Sequence, residues 1–197
     1  MDKMDFAAYP WGRWMKWIVT GVIAFILIIS FVSTNNKLVS AEQEVEGSWS
    51  QVENVMQARA DKLVNMVEIA KGYIKHEEKV FGEIAAARAA FTAGGADIEK
   101  KLVADEQLTQ ATKSILLLVE NYPDLKANQQ FHDLQVAVEG AENRVTVERM
   151  RFIDAVKVYN LITRRFPGSV LARLLGFAPK DYFEAAPGSE TAPKIQF

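Results

Sequence analysis

An uninterrupted apolar stretch near the N-terminus constrains this chain more than any other feature of its sequence. Residues 17–36 contain no charged side chain, and residues 18–32 are almost wholly apolar. At about 1.5 Å per residue, a helix of about 20 residues spans roughly 30 Å, the thickness of the hydrocarbon layer of a bilayer. The stretch therefore predicts a transmembrane helix over residues 17–36.

Three tryptophans stand at the start of this stretch: Trp11, Trp14 and Trp17. Tryptophan rings favour the headgroup layer of a membrane, because one end of the ring system is apolar and the other carries a polar N–H group. We therefore expect these three residues to mark one membrane interface.

Two other kinds of segment could contain such an apolar stretch. A buried core helix is disfavoured because the stretch is longer and more uniform than the core of a domain of this size requires. A cleaved signal peptide would use Val39 and Ala41 as the small residues before the cut, but that site lies well past the apolar stretch and beyond Lys37. A membrane anchor that stays in the protein remains the favoured interpretation.

The cations that flank the stretch predict its orientation. Lys3, Arg13 and Lys16 precede it, whereas Lys37 is the sole cation between the stretch and Arg59. Because cytoplasmic loops carry an excess of lysine and arginine, the N-terminus is predicted to be cytoplasmic and the large C-terminal part to face outward.

A seven-residue repeat of apolar residues follows the stretch. Its first column is Leu38, Val45, Val52, Arg59, Met66, Tyr73, Val80 and Ala87, and its second is Trp49, Met56, Leu63, Ala70, Glu77, Ile84 and Phe91. Two apolar columns at this period are typical of a long helix that packs against other long helices. The two charged members, Arg59 and Glu77, are interpreted as structural ion-pair residues, with Asp61 and Lys62 as neighbouring partners for Arg59.

Glycine and proline divide the rest of the chain into further helices. Gly94 and Gly95 predict the end of the first long helix, and a second helix is expected from about residue 97 or 105 to residue 121. Pro123 ends that helix, and Asn128 is a suitable N-cap for a third helix that extends to about residue 165.

The C-terminal part is predicted to contain one short helix and a tail. Pro167 and Gly168 interrupt the third long helix, Ser169 is expected to cap a helix over residues 170–175, and Gly176 ends it. Residues 186–197 carry no apolar period and are interpreted as disordered.

These patterns predict an all-α protein, in which an N-terminal transmembrane helix is followed by an up-and-down antiparallel bundle of long helices. The predicted layout is a cytoplasmic segment over 1–16, the membrane span over 17–36, the bundle over 37–185 and the tail over 186–197.

The composition excludes several kinds of chemistry. A net charge of −2 leaves no surplus of cations to neutralise a phosphate backbone, which argues against nucleic-acid binding. There is no cysteine, and the two histidines, His76 and His132, are not accompanied by an acidic residue three positions earlier, as a di-iron bundle would require. No phosphate-binding glycine loop or nucleophile elbow is present in the sequence. We therefore expect no cofactor, no metal and no enzymatic activity.

Several short segments resemble one known family. Residues 57–67 (QARADKLVNMV) are similar to the family string RR-x-DLIPNLV, and residues 71–77 (KGYIKHE) to VKGYAKHE. Residues 120–128 (ENYPDLKAN) are similar to E-x-YPDLKAN, and residues 154–160 to YND-A-V-x-x-YN. In this order, they resemble the LemA family of membrane-anchored bacterial proteins. The sequence departs from the family at residues 62–64, where Lys-Leu-Val replaces Leu-Ile-Pro, and at residues 149–153.

The resemblance implies a single-pass protein of the bacterial inner membrane with a long-helix bundle, and it assigns no catalytic residue. The sequence is therefore interpreted as a non-enzymatic scaffold or adaptor of the cell envelope, which binds the lipid bilayer and an unidentified membrane or envelope protein. A homo-oligomeric membrane assembly is the alternative, and a metal-binding or enzymatic bundle is a further one.

Two segments are predicted to contact the partner. The first is the turn over residues 122–128, and the second is the apolar segment over residues 177–183. The candidate contact residues are Tyr122, Asp124, Lys126, Asn128, Phe177, Tyr182 and Phe183.

Overall fold

A computed structural model describes residues 11–74, 77–95 and 97–182, with side chains from residue 14 onward. Its helices are α1 (Trp11–Lys71), α2 (Glu78–Ala93), α3 (Ile98–Val119), α4 (Pro123–Lys126), α5 (Gln129–Arg164) and α6 (Gly168–Leu175). All regular structure in these ranges is helical, which confirms the predicted all-α bundle with a long apolar N-terminal helix. The predicted disordered tail, the first ten residues, His76, Phe183 and the side chain of Trp11 lie outside the described residues.

The seven-residue repeat correctly predicts which face of α1 is buried. Within α1, the members of the two columns that are at most 5% exposed are Leu38, Val45, Val52, Met56, Arg59, Leu63, Met66 and Ala70. The apolar stretch and the first part of the repeat belong to one uninterrupted helix, because α1 continues from Trp11 to Lys71.

The repeat does not continue as one helix to residue 91. After Lys71 the chain forms a tight turn, in which the Gly72 N–H donates to the Ile69 carbonyl at 3.1 Å. Glycine disfavours a helix interior by about 1 kcal/mol relative to alanine, so Gly72 is a suitable place for the helix to end. Glu77 therefore precedes the first residue of α2 and is not part of a continuous helical seam.

Side-chain caps begin two of the later helices. Asp97 accepts the backbone N–H of Lys100 at 3.1 Å before α3, and Asn128 accepts that of Phe131 at 3.0 Å before α5. The predicted cap by Ser169 is wrong, since α6 already begins at Gly168 and Ser169 lies inside it. The predicted end of α6 is confirmed, because Gly176 has a φ of 83°, which a residue without a Cβ adopts readily.

The chain divides into two compact units. One contains residues 47–152, and the other contains residues 1–46 together with 153–197. We call them the bundle unit and the anchor unit. Large side chains that are fully buried in the bundle unit include Met56, Leu63, Ile84, Leu108, Ile115 and Phe131. The anchor unit contains a smaller buried cluster of Leu38, Leu171 and Ala172, against which Ile162 and Phe177 pack.

Candidate functional site

The apolar surface of α1 is exposed along its N-terminal part. Trp14 and Trp17 are 73% and 78% exposed, and the apolar side chains from Ile18 to Val32 are exposed as well. Among the described helices, α1 alone is long and apolar enough to cross a membrane, and its most apolar window is not buried inside the protein. Because a soluble core helix would be covered, this exposure distinguishes α1 from such a helix.

The turn over residues 122–128 is folded as α4, a single helical turn. Leu125 is fully buried beneath it, whereas Asp124 and Lys126 are exposed. Lys126 forms an ion pair with Glu120 at 2.5 Å, and Tyr122 is half-buried. The buried leucine fixes the turn, so that its charged side chains are presented to solvent at defined positions.

Asn128 has a structural role in the same turn. Its Oδ1 caps α5, and its Nδ2 donates to the hydroxyl of Tyr73 at 2.8 Å. Asn128 is therefore half-buried rather than freely exposed, and it connects the start of α5 to the turn that follows α1. Of the four candidates in this turn, Asp124 and Lys126 are the ones whose side chains are available to a partner.

The second candidate segment is held against α5 by side chains that bind its backbone. Asn160 accepts the Lys180 N–H at 2.9 Å and donates to the Lys180 carbonyl at 2.7 Å. The hydroxyl of Tyr159 donates to the carbonyl of Ala178 at 3.0 Å. These three hydrogen bonds give residues 177–182 a fixed conformation, although the segment follows the last helix.

The side chain of Lys180 adds further contacts. Its Nζ lies 3.2 Å from Glu42 and 5.4 Å from the centre of the Tyr159 ring. Burial raises the pKa of the Tyr159 hydroxyl, and the charge of Glu42 raises it further. The hydroxyl therefore stays protonated as a hydrogen-bond donor to Ala178. Phe177 is half-buried against the core of the anchor unit, while Tyr182 is 45% exposed.

A buried ion cluster lies within the bundle unit. The guanidinium of Arg59 donates to Asp105 Oδ1 at 2.5 Å, to the Asp105 carbonyl at 2.8 Å and to the Thr109 hydroxyl at 3.1 Å. Arg149 donates to the other carboxylate oxygen of Asp105 at 2.6 Å. The side chains of Arg59 and Asp105 are each only 3% exposed.

This geometry corrects the predicted partner of Arg59. Asp61 pairs instead with Arg88 at 3.0 Å, and the partner of Arg59 is Asp105 on α3. The sequence contained a signal for Asp105, because it stands three residues after Leu102 and three before Leu108, on the apolar face of its helix. Arg149 carried no comparable signal.

The electrostatics of this ion cluster favour a structural role. Burial raises the pKa of the Asp105 carboxyl, and the adjacent guanidinium groups of Arg59 and Arg149 oppose that effect. The Nε atoms of both arginines are buried without a hydrogen-bond partner among the described residues. The described residues contain no group of three or more histidine or acidic side chains that could hold a metal ion. Arg59 on α1 and Arg149 on α5 are thus both paired with the single carboxylate of Asp105 on α3.

Comparison with known proteins places this geometry in context. The sequence model of the LemA family matches residues 48–197. Magnetosome protein MamQ 1 of Paramagnetospirillum magneticum is 21% identical over 86% of this chain and 73% of its own length. Magnetosome protein MamQ of Magnetospirillum gryphiswaldense is 22% identical over the same shares, and Protein LemA of Metamycoplasma hominis is 22% identical over 79% of this chain and 73% of its own.

Proposed function

This chain belongs to the LemA family, and we propose that it is a non-enzymatic scaffold or adaptor, anchored in the bacterial inner membrane, that works through protein–protein contacts of its helix surfaces. In this proposal α1 holds the chain in the bilayer. The bundle unit then presents a surface of fixed shape to another membrane or envelope protein.

The observation that supports contact-based function is the construction of the turn over residues 122–128. Leu125 and Asn128 fix the turn from within, and Asp124 and Lys126 remain exposed. A surface that is ordered before binding loses little conformational entropy when a partner docks. The buried ions support the non-enzymatic part, since Arg59 and Asp105 bind each other and are closed off from solvent.

The test reverses the sign of the charge at position 126 while preserving the ion pair between positions 126 and 120. The variant carries Glu120→Lys together with Lys126→Glu, which retains an opposite-charge pair but reverses its direction. The matched control carries Glu68→Lys together with Lys71→Glu, because that exposed pair is joined at 2.7 Å and has a similar exposure. The full chain is crosslinked in intact cells, purified through an affinity tag, and its partners are quantified by mass spectrometry.

We expect the recovery of specific partners to fall about tenfold in the turn variant, which corresponds to about 1.4 kcal/mol, and to remain unchanged in the control. An unchanged set of partners in both variants would exclude this turn as the contact surface. Crosslinks between copies of the chain alone would favour the homo-oligomeric alternative.

We further propose that the N-terminus is cytoplasmic and that the helical domain faces outward, because cations are more numerous before the apolar stretch than immediately after it. A protease added to spheroplasts should then digest a tag placed after Phe197. Protection of that tag until the membrane is permeabilised would contradict this orientation.

A further inference from the structure

Helix α6 is apolar on both of its faces. Its inner face buries Gly168, Leu171 and Ala172. Its outer face exposes Val170 and Leu174, which stand four residues apart and therefore share one side of the helix. Phe166, in the turn just before α6, is 84% exposed. The exposure of three large apolar side chains within nine residues is unfavourable in water and indicates that something covers them.

The position of α6 indicates what contacts its exposed apolar side chains. Within the anchor unit, Leu171 and Ala172 pack against Leu38, which lies two residues after the uncharged stretch of α1. An open groove beside α1 is lined by residues between Ile28 and Ala41, and by Val158 and Ile162 near the end of α5. The end of α5 therefore lies beside the last turns of the apolar stretch, and Gly168, the first residue of α6, is in close contact with Ile162 at that end.

The exposed charged side chains of α6 and of the end of α5 just before it are arginines, and the ion pair between Lys180 and Glu42 involves a residue beyond α6. The exposed cations of this region are Lys37, Arg164, Arg165 and Arg173. Residues 155–180 contain no acidic residue, and neither do residues 6–41. Exposed apolar side chains surrounded by unopposed arginines are the combination that binds a membrane surface, where anionic phosphates lie directly above the acyl chains.

We propose that α6 and Phe166 form a second membrane contact, in which the side chains of Phe166, Val170 and Leu174 enter the boundary between headgroups and acyl chains, and the arginines bind lipid phosphates. The occupant of this surface is the leaflet that surrounds the C-terminal end of the membrane span. The inference rests on the proposed anchoring by α1 and extends it, because the chain would meet the bilayer with a helix that lies along its surface as well as with one that crosses it.

The absence of cysteine allows a direct test with single-cysteine variants of the full chain. Leu174→Cys probes α6, and Leu117→Cys on α3 is the matched control, because both leucines are 73% exposed. Leu27→Cys is the reference for the anchor. Each variant is placed in nanodiscs that contain phosphatidylcholine and phosphatidylglycerol in equal amounts, and the rate of labelling by a water-soluble maleimide is measured.

We expect Cys labelling at position 174 to be about tenfold slower than at position 117, and labelling at position 27 to be slower still. Equal rates at 174 and 117, with position 27 protected, would overturn the second contact while leaving the anchor intact. Fast labelling at position 27 would contradict the anchor itself. Protection of position 174 that increases with protein concentration at constant lipid would assign the surface to a second copy of the chain, and would also overturn the proposal.

The charged part of the proposal is tested by the lipid composition. Protection at position 174 should weaken in nanodiscs of phosphatidylcholine alone, and also when Arg164, Arg165 and Arg173 are all replaced by glutamine in the mixed nanodiscs. Protection that is the same under all three conditions would overturn the assignment of the arginines to lipid phosphates.

Discussion

The two compact units differ in how much of their apolar surface they bury. In the bundle unit, large side chains of α1, α2, α3 and α5 are buried, and the two arginines that reach this interior both pair with Asp105. The described part of the anchor unit buries a small cluster around Leu38 and exposes most of its apolar residues. A unit that is surrounded by water must satisfy its interior from its own residues, whereas a unit that meets lipid can leave apolar side chains outside.

The polar contacts of the two units differ in the same way. The central contacts of the bundle unit join side chains that are far apart in sequence, such as Arg59 and Asp105. In the anchor unit, Asn160 and Tyr159 instead bind the backbone of the segment that follows α6, and the side chain of Lys180 in that segment adds an ion pair with Glu42. Loss of one residue should therefore affect the whole packing of the bundle unit, but only one segment of the anchor unit.

The largest effect is expected when the ion cluster loses its acid. Asp105→Ala leaves the buried guanidinium of Arg59 without a compensating charge, and breaking a buried pair in this way typically costs about 3–5 kcal/mol. The loss should appear as a lower urea midpoint of the full chain in detergent, and hydrogen exchange should accelerate in α3 before it does in α6. An unfolding free energy within about 1 kcal/mol of wild type would show that the cluster is not central to the bundle unit.

A triple variant separates charge from packing at the same place. Arg59→Met, Asp105→Leu and Arg149→Met together replace all three ions of the cluster by apolar side chains, which for buried ion clusters in other proteins is close to neutral. We expect this variant to retain much more stability than Asp105→Ala. If both are equally unstable, the arrangement of side chains rather than the uncompensated charge determines the loss.

The second effect concerns the close approach of α6 to α5 in the anchor unit. A Cβ added to Gly168 would lie 2.2 Å from the backbone carbonyl oxygen of Ile162, so Gly168→Ala must displace α6. Overpacking of this kind costs about 1–3 kcal/mol. Faster hydrogen exchange in α6, with exchange in α3 unchanged, is the expected result.

Gly140→Ala in α5 is the control for that substitution. A Cβ at Gly140 would have no neighbouring heavy atom within 4 Å, and alanine favours a helix over glycine by about 0.5–1 kcal/mol. The control should therefore be slightly more stable than wild type. A Gly168 variant that behaves like this control would show that α6 is not closely packed against α5.

The sequence allowed the helices and their ends to be predicted better than the contacts between residues of different helices. The buried face of α1 followed from a seven-residue repeat, because burial of one helix face leaves a regular trace in the order of residues. The cap at Asn128 and the end of α6 at Gly176 followed from local backbone chemistry. The end of α1 at Lys71 was not predicted, since a single glycine is compatible with both a continuous and a broken helix.

Contacts between distant residues could not be predicted in the same way. Asp61 was the nearest acid to Arg59 in sequence, but it lies on the same helix and pairs with Arg88 instead. Asp105 and Arg149 meet Arg59 only because three helices pack together. In the candidate turn, Asp124, Lys126 and Asn128 were all expected to be exposed. Asn128 is instead half-buried, because its hydrogen bond to Tyr73, which the sequence did not predict, holds the turn in place.

A smaller effect is expected from the backbone contacts of residues 177–182. Asn160→Ala removes both hydrogen bonds to Lys180, and each such bond contributes about 0.5–1.5 kcal/mol. Faster hydrogen exchange should be confined to residues after α6. Asn143→Ala, at an exposed position of α5, is the control and should leave exchange in that segment unchanged. Acceleration throughout the bundle unit would contradict the local character of these contacts.

The smallest expected effect is a pH-dependent change in the stability of the bundle unit. The pKa of Asp97 is lowered from its ordinary value of 3.8, first because the backbone N–H of Lys100 donates to its carboxylate and then because the Lys100 side chain binds it as well. A lowered pKa in the folded state means that the ionised cap contributes stability above the unfolded pKa, and that this contribution is lost as the pH falls through the folded pKa. Asp97→Asn retains a capping oxygen without the charge, so it should be slightly less stable than wild type at neutral pH and equal to it in strong acid. Thermal unfolding of both proteins across this range is the measurement. A difference that stays constant with pH would show that the charge of Asp97 has no part in stabilising α3.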